Sequence, residues 1–440
     1  MGIALALGLL LLIIALDLYL ALKLRKSLTF RILFMFTLAV MVAVAAGLYG
    51  EHLLPFLNEV FFPPREIFIR LLKMIIVPLV VASIIHGVTS VGGGRRLGKL
   101  GVVTAAYYLT TTGIAVFLGL VLVNLIHPGR AGMEVAAAEL PEIVRQGPRP
   151  ISEILLSMIP TNPAEALARM DVLALIFFSL LLAIGIIAVG RPADTLRQFF
   201  TGLNEVMMKV VSWVMEVAPV GVFALIITLV AKSGLRPLFD LPLYMATVIL
   251  GLIIHGAIVL PLILRLITGR SPLEFARAMT TAILTAFSTS SSAATLPFTM
   301  EGARDRAKVR AEAVEFVCPV GATVNMDGTA LYEAVAVLFI AQLTGVNLTF
   351  DQQVVVFITA TLAAIGAAAV PSAGLVTMTI VLSAVGLPFE GIGIILGVDR
   401  ILDMSRTTVN IWGDAVGAAV VEKLALGEGE EIKTPQPAVE

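Results

Sequence analysis

The segment VDRILDMSRTTVNIWGDAVG carries Asp399, Asp403, Arg406, Asn410 and Asp414 at spacings of four, three, four and four. On a helix that spacing lines the five polar groups along one face. Arg406 offers a planar fork of donors suited to a carboxylate, and Asp403, one turn earlier, offers an anion suited to an ammonium. Together they describe an acidic amino acid as the ligand. The competing reading is that Arg406 and Asp403 merely neutralise each other. Thr407, Asn410 and Asp414 on the same face are more than such a pair would need.

Upstream, NMDGT at Asn325 to Thr329 puts an amide, a carboxylate and a glycine inside an apolar run. These residues should unwind a helix there, leaving carbonyls and Asp327 to coordinate a hard cation such as sodium. Six residues on, Glu333 has no obvious basic partner in sequence. A carboxyl group that is neutral in one state and charged in another can carry a proton, whereas one that stays protonated serves only as a hydrogen-bonding group. Ser290, Ser291 and Ser292 can be read as helix-packing small residues, as a nucleophile, or as donors to an anion at a hairpin tip. A nucleophile needs a base. No motif ties His52, His86, His127 or His255 to the serines and no GxSxG element is present, which disfavours an intramembrane serine hydrolase. The histidines read as interfacial or packing residues.

The elements that must hold these groups lie in a membrane. Hydrophobic residues make up 58% of the 440 positions and charged residues 14%, against about a quarter charged in soluble domains. Apolar runs of bilayer-spanning length recur near 2–22, 32–50, 67–90, 101–126, 152–189, 203–231 and 243–266, each expected as an ordinary helix. Residues 2–22 are not read as a signal peptide, because Lys23, Arg25 and Lys26 follow the apolar stretch rather than precede it. Asp17 is expected to face another helix. The basic loops Lys23–Arg31, Arg95–Lys99, Arg191 with Arg197, Arg270 with Arg277, and Arg304–Arg310 fall on one side in an alternating topology. They mark the cytoplasm, with the N-terminus outside. Net charge is −1 and no basic block occurs, so nucleic acid is not an expected partner. Cys318, the single cysteine, reads as a small buried hydrophobe.

From about residue 272 the apolar segments become short and are broken by Ser, Thr, Gly and Pro. The runs STSSSAATLP at 288–297 and AAIGAAAVPSAG at 363–374 each look like the tip of a re-entrant hairpin, and each precedes a long apolar helix with polar residues at its centre. Hairpin plus polar helix thus occurs twice, the inverted-repeat pattern of transporters that bind at the midplane. The loop 127–150 reads as external and solvated, and the acidic tail from Gly427 as disordered.

The chain resembles the glutamate/aspartate transporters of the dicarboxylate/amino acid:cation symporter family, which includes the excitatory amino acid transporters. The anchors, between about residues 30 and 425, are RLLKMIIVPLV, AAYYLTTT, IPTNPAEALA, APVGVFAL, SSSAATLPFTM, NMDGTALYEAVAVLFIAQ, AAIGAAAVPSAGLVTM and DRILDMSRTTVNIWGD. The resemblance implies an all-α polytopic membrane protein, a homotrimer with eight core transmembrane helices and two re-entrant hairpins in inverted repeats. One part stays fixed while the other crosses the bilayer as an elevator. By that likeness 1–26 is an extra membrane helix, 27–100 the first two core helices, and 101–126 a helix of the moving part. Residues 127–240 are the external loop and scaffold helices, 241–425 the moving part with both hairpins, and 426–440 a cytoplasmic tail.

By similarity Arg406 would hold the substrate side-chain carboxylate, Asp403 and Thr407 the amino group, and Asn410 with Ser292 the α-carboxylate. Thr329 and the backbone at Val370 and Gly374 would close the pocket. One sodium site would use Asp414 with carbonyls of Gly321, Asn325 and Asn410; a deeper one Tyr108, Thr111, Thr112, Asn325 and Asp327. A third would use carbonyls of Thr323, Met326, Ala364, Ile365 and Ala367.

Members coupled to protons and potassium carry Glu at the position of Glu333 and sodium-only archaeal members carry Gln, so proton co-transport is implied. Members also place a second arginine in the first tip or just after the aspartate of the last helix; those positions are Ser290 and Met404 here, with Arg400 nearby. The extra segment 2–22 is a second departure. The expected function is sodium-driven uptake of L-glutamate or L-aspartate across the cell membrane. The alternatives are a C4-dicarboxylate symporter, which would leave Asp403 without an ammonium to pair with, and a sodium-coupled neutral amino acid symporter. No cofactor other than coupling ions is expected.

Overall fold

The computed structural model describes residues 2–49, 51–91, 98–130, 156, 158–234, 236–366 and 373–426. Every regular element among them is helical. Loop residues 131–150, tail residues 427–440, Arg95, Ala367 and Val370 lie outside the described residues.

Helix α1 (Gly2–Leu18) continues through a π turn at Tyr19–Lys23, and α2 (Leu28–Tyr49) follows, while α1 packs on α3 (Leu54–Val91). The join between α1 and α2 is sealed by Arg31, which donates to Asp17 at 2.6 and 2.8 Å. Asp17 therefore does face another helix. Helix α3 (Leu54–Val91) runs for 38 residues, longer than the expected 67–90, and keeps Pro63, Pro64 and Pro78 inside it. At 1.5 Å per residue it is about 57 Å long, so it must tilt or project beyond a hydrocarbon core of about 30 Å. Arg65, where the hydropathy reading stopped short, is buried and ion-paired with Glu390 at 2.5 Å.

Helix α4 (Gly98–Ile126) matches expectation. The expected segment 152–189 is divided: α5 (Pro163–Arg169) ends at Met170, whose φ is 54°, and Asp171 caps α6 (Val172–Val189) by accepting from Ala174 N–H at 3.3 Å. The expected span 203–231 is also not one straight helix. It is α7 (Asp194–Glu216) and α8 (Ala218–Ser233), bent by 53°. Pro219 opens α8 without an N–H for the preceding turn, which places the break at Val217. Helices α9 (Leu241–Ile254) and α10 (Leu260–Thr268) are joined by a π turn, His255–Val259.

The chain then enters the region of short elements: α11 (Pro272–Ala278), α12 (Thr280–Thr289), α13 (Ser292–Glu301), α14 (Ala311–Val324), α15 (Asp327–Leu343), α16 (Phe350–Ala363), α17 (Ala373–Ala384), α18 (Ile392–Leu396) and α19 (Asp399–Val421). Helices α12 and α13 pack as one hairpin, and α16 and α17 as another. Helices α2, α3, α6, α7 and α8 pack chiefly on one another, while α4, α14, α15 and α19 form the centre around which both hairpins fold. Six described helices are long and apolar enough to cross a membrane, or seven if the bent α7–α8 pair is one span. Helix α19 is not among them because its polar face lowers its hydropathy.

Candidate functional site

Helix α19 is buried along nearly its whole length, including Asp399, Asp403, Arg406, Thr407, Asn410 and Asp414. The face expected from the four–three–four–four spacing is therefore the one turned inward. Arg406 is fully buried and its guanidinium lies over the Tyr332 ring, 3.8 Å from the centroid. Its Nη2 donates to Asp403 Oδ1 at 2.9 Å. Asp399 Oδ1 is also 2.9 Å from Nη2, but out of line for a hydrogen bond, so it acts as a neighbouring charge. The expected substrate pair is thus in mutual contact, as the competing reading had it. That contact uses one of three guanidinium nitrogens: Nε and Nη1 are buried without hydrogen-bond partners among the described residues. Burying charged donors unpaired is costly unless a ligand completes them.

The second hairpin lies directly over this group. A Cβ at Gly374 would sit 3.1 Å from Thr329 Cγ2 and 3.2 Å from Arg406 Nη1, so any side chain there would press on both for α17 to stay this close. On the same arm Thr377 donates to Glu333 Oε1, while Glu333 Oε2 is buried without a partner. Asn410 links the last helix to the helix break, accepting from Gly328 N–H at 2.8 Å and donating to Thr329 Oγ1 at 3.2 Å. In the first hairpin, Ser290 takes a left-handed φ of 52° and its Oγ is buried without a partner, while Ser292 is buried in the first turn of α13. Thr407 is buried on the α19 face. Arg400 lies half-buried on the flank of α19, and Asp399 rather than Arg400 reaches Arg406.

The expected break in the helix is present. Helix α14 ends at Val324, α15 begins at Asp327, and Asn325 and Met326 between them leave helical geometry at φ/ψ of −102°/85° and −116°/58°. Asn325 donates to Asp414 Oδ1 at 3.0 Å, and Tyr108 lies beside Gly321 while donating to Val317 C=O at 2.7 Å. Asp327 Oδ1 accepts from Thr112 at 2.7 Å and Thr111 at 3.3 Å. The turn Ala364–Gly366 packs against both α14 and α15, next to the break that holds Thr323 and Met326. Asp327 and Asp414 are both buried, and no Lys or Arg is ion-paired with either among the described residues. Two buried carboxylates among hydroxyl, amide and carbonyl oxygens, with no Lys or Arg on either among the described residues, fit a hard monovalent cation.

One contact overturns an expectation. The sequence groups His255 with the other histidines as interfacial or packing, yet its Nε2 lies 3.0 Å from Asp327 Oδ2, both groups fully buried. Its partner is 72 residues away, and nothing near His255 in sequence announces it. Among the other histidines, His86 meets Thr201 at 3.2 Å.

Two hairpins and a broken helix converging on a buried arginine and several buried carboxylates define a polytopic membrane carrier of the secondary-transport class. The chain belongs to the sodium:dicarboxylate symporter family, whose profile matches residues 28–424 and leaves α1 outside. It is 39% identical to excitatory amino acid transporter 3 of Mus musculus, over 90% of this chain and 85% of that protein. It is 40% identical to an excitatory amino acid transporter of Caenorhabditis elegans, over 81% of this chain and 80% of that one. The proton/sodium-glutamate symport protein of Bacillus subtilis (strain 168) is 38% identical over 88% of this chain and 90% of its own length.

Proposed function

We propose that this protein is a secondary symporter that takes up L-glutamate or L-aspartate with sodium, and that Glu333 adds a proton to the coupled ions. The observation that carries the reading is the half-used guanidinium of Arg406. Nη1, on the end of the guanidinium nearest Gly374, is a buried charged donor left for a side-chain carboxylate to accept from. Asp403, already beside Arg406, supplies the anion for the substrate ammonium. Asn410, Thr407 and Ser292 take the α-carboxylate and amino group, and Thr329 with the backbone at Gly374 and Val370 closes over them.

Sodium is assigned to three groups of oxygens: Asp414 with Gly321, Asn325 and Asn410; Asp327 with Tyr108, Thr111, Thr112 and Asn325; and Thr323, Met326, Ala364, Ile365 and Ala367. Glu333 is bonded to Thr377 on the closing hairpin, so its protonation is tied to the position of that hairpin. Potassium counter-transport, a homotrimeric assembly, an elevator movement of 241–425 with 101–126, a cell-membrane location and a cytoplasmic C-terminus belong to the same reading. The names of the relatives, for glutamate and for sodium and protons, support it.

The deciding experiment is uptake of labelled glutamate and aspartate into proteoliposomes with sodium, proton and potassium gradients imposed singly. Uptake driven by sodium and blocked by unlabelled aspartate is expected. Competition by succinate but not by aspartate would replace the reading with a C4-dicarboxylate symporter.

A further inference from the structure

His255 supplies a donor of a kind that the hydroxyl ligands Thr111 and Thr112 do not. Three donors surround Asp327: on Oδ1 the hydroxyl of Thr112 at 2.7 Å and that of Thr111 at 3.3 Å, the latter shared with the Tyr107 carbonyl at 3.1 Å, and on Oδ2 the imidazole of His255. A hydroxyl is both donor and acceptor, so Thr111 and Thr112 can give their hydrogens to Asp327 or turn a lone pair toward a cation. An N–H donor has no such second role. Against a carboxylate oxygen at 3.0 Å, His255 donates from Nε2. Its Nδ1 is buried without a partner among the described residues.

The surrounding fold holds the ring in place. His255 begins the π turn between α9 and α10, a widened turn of the kind that recurs at functional sites. Trp412 of α19 donates its indole N–H to the Gly256 carbonyl at 2.9 Å, bracing that turn. A Cβ at Gly256 would come within 3.3 Å of Val409, so the turn is seated closely against α19.

We propose that His255 is a positioning residue for the deeper sodium site: it holds Oδ2 of Asp327 so that Oδ1 stays turned toward Thr111 and Thr112 whether or not sodium is bound. This rests on the sodium reading of Asp327. Partners of this kind, which orient a ligand without touching the ion, change affinity by about 10- to 100-fold when removed.

The test is sodium binding to purified protein without substrate, read from Trp412 emission. The chain has two tryptophans and Trp213 is 61% exposed, so Trp213→Phe leaves Trp412 as the sole reporter, beside the π turn. Sodium is titrated against choline at constant ionic strength. His255→Leu should raise the half-saturating sodium about 10-fold or more, while His255→Gln, whose amide can donate to Oδ2, should stay within about 3-fold of the parent. Leu and Gln variants that both titrate as the parent does, or both lose sodium equally, would overturn the proposal. If His255→Leu does not fold, His255→Met replaces it with the same expectation. Asp327→Asn in the same background separates the two claims. A normal titration there, or an unresponsive parent, refutes the sodium reading and the role of His255 with it.

Discussion

Two arginines in this molecule are each buried against two carboxylates, and they are used in opposite ways. Arg31, between α1 and α2, spends its whole fork: Nε and Nη2 grip both oxygens of Asp17 at 2.8 and 2.6 Å, and Nη1 takes Glu216 at 2.6 Å. Arg406 spends only Nη2, on Asp403, and leaves Nε and Nη1 buried without hydrogen bonds among the described residues. Charge alone does not tell a structural arginine from a binding one, since both stand beside a pair of acids. The count of unspent donors does. A satisfied fork closes a helix contact, and an unsatisfied one retains an unmet demand of a few kcal/mol that a carboxylate can meet.

The sharpest way to break this contrast is to remove each cation. Arg406→Cys should reduce uptake of acidic substrates at least about 100-fold, the worth of a charge-assisted pair at roughly 3 kcal/mol, while neutral amino acids are retained or gained. Retained glutamate uptake would place Arg406 with the structural arginine. Arg31→Met should leave substrate selectivity unchanged but destabilise the fold by about 3–5 kcal/mol, the cost of stranding a buried acid. Adding Asp17→Leu should recover most of that loss in thermal denaturation, because Glu216, 56% exposed at its side chain, can give its charge to solvent. No recovery in the double variant would mean that Arg31 does more than neutralise Asp17.

A finer test uses Glu333. If its carboxyl carries a proton in with the substrate, the proton is a co-substrate and wild-type uptake falls as external pH rises. Glu333→Gln should flatten that profile between about pH 5 and 8 while keeping the hydrogen bond to Thr377; a slope equal to wild type would rule out the carrier role. The smallest effect is expected at Gly374. Gly374→Ala would put a methyl 3.1–3.2 Å from Thr329 and Arg406, which should raise KM for glutamate by about 10-fold, in line with a packing cost of 1–2 kcal/mol, with little change in thermal stability. An unchanged KM would show that the hairpin does not bear on the arginine during binding.

The polar face of α19 was legible in the sequence because charges at helical spacing stand out against apolar surroundings. The break at NMDGT was legible for a similar reason: amide, acid and glycine together are hard to place inside a continuous apolar helix. Both hairpins announced themselves through serine, glycine and proline. What escaped depends on partners far along the chain. Arg65 looked like the end of a span because its partner Glu390 lies 325 residues away. His255 looked like packing because Asp327 is 72 residues away and the π turn that aims the ring leaves no mark in composition. The bend at Val217 had a visible cause in Pro219, yet average hydropathy over 203–231 does not register a change of direction.

The ion pair between Asp17 and Arg31 joins residues only 14 apart, whereas Glu216 follows 185 residues later. A leading apolar segment carrying an aspartate meets an insertion penalty of about 2.5–3.5 kcal/mol if that acid enters the hydrocarbon alone. Here the neutralising guanidinium is the next one to be synthesised after the turn, and closing so short a loop costs little entropy. The first two helices can therefore enter the bilayer as a self-neutralised pair during translation, long before the segment that completes the triad has been made.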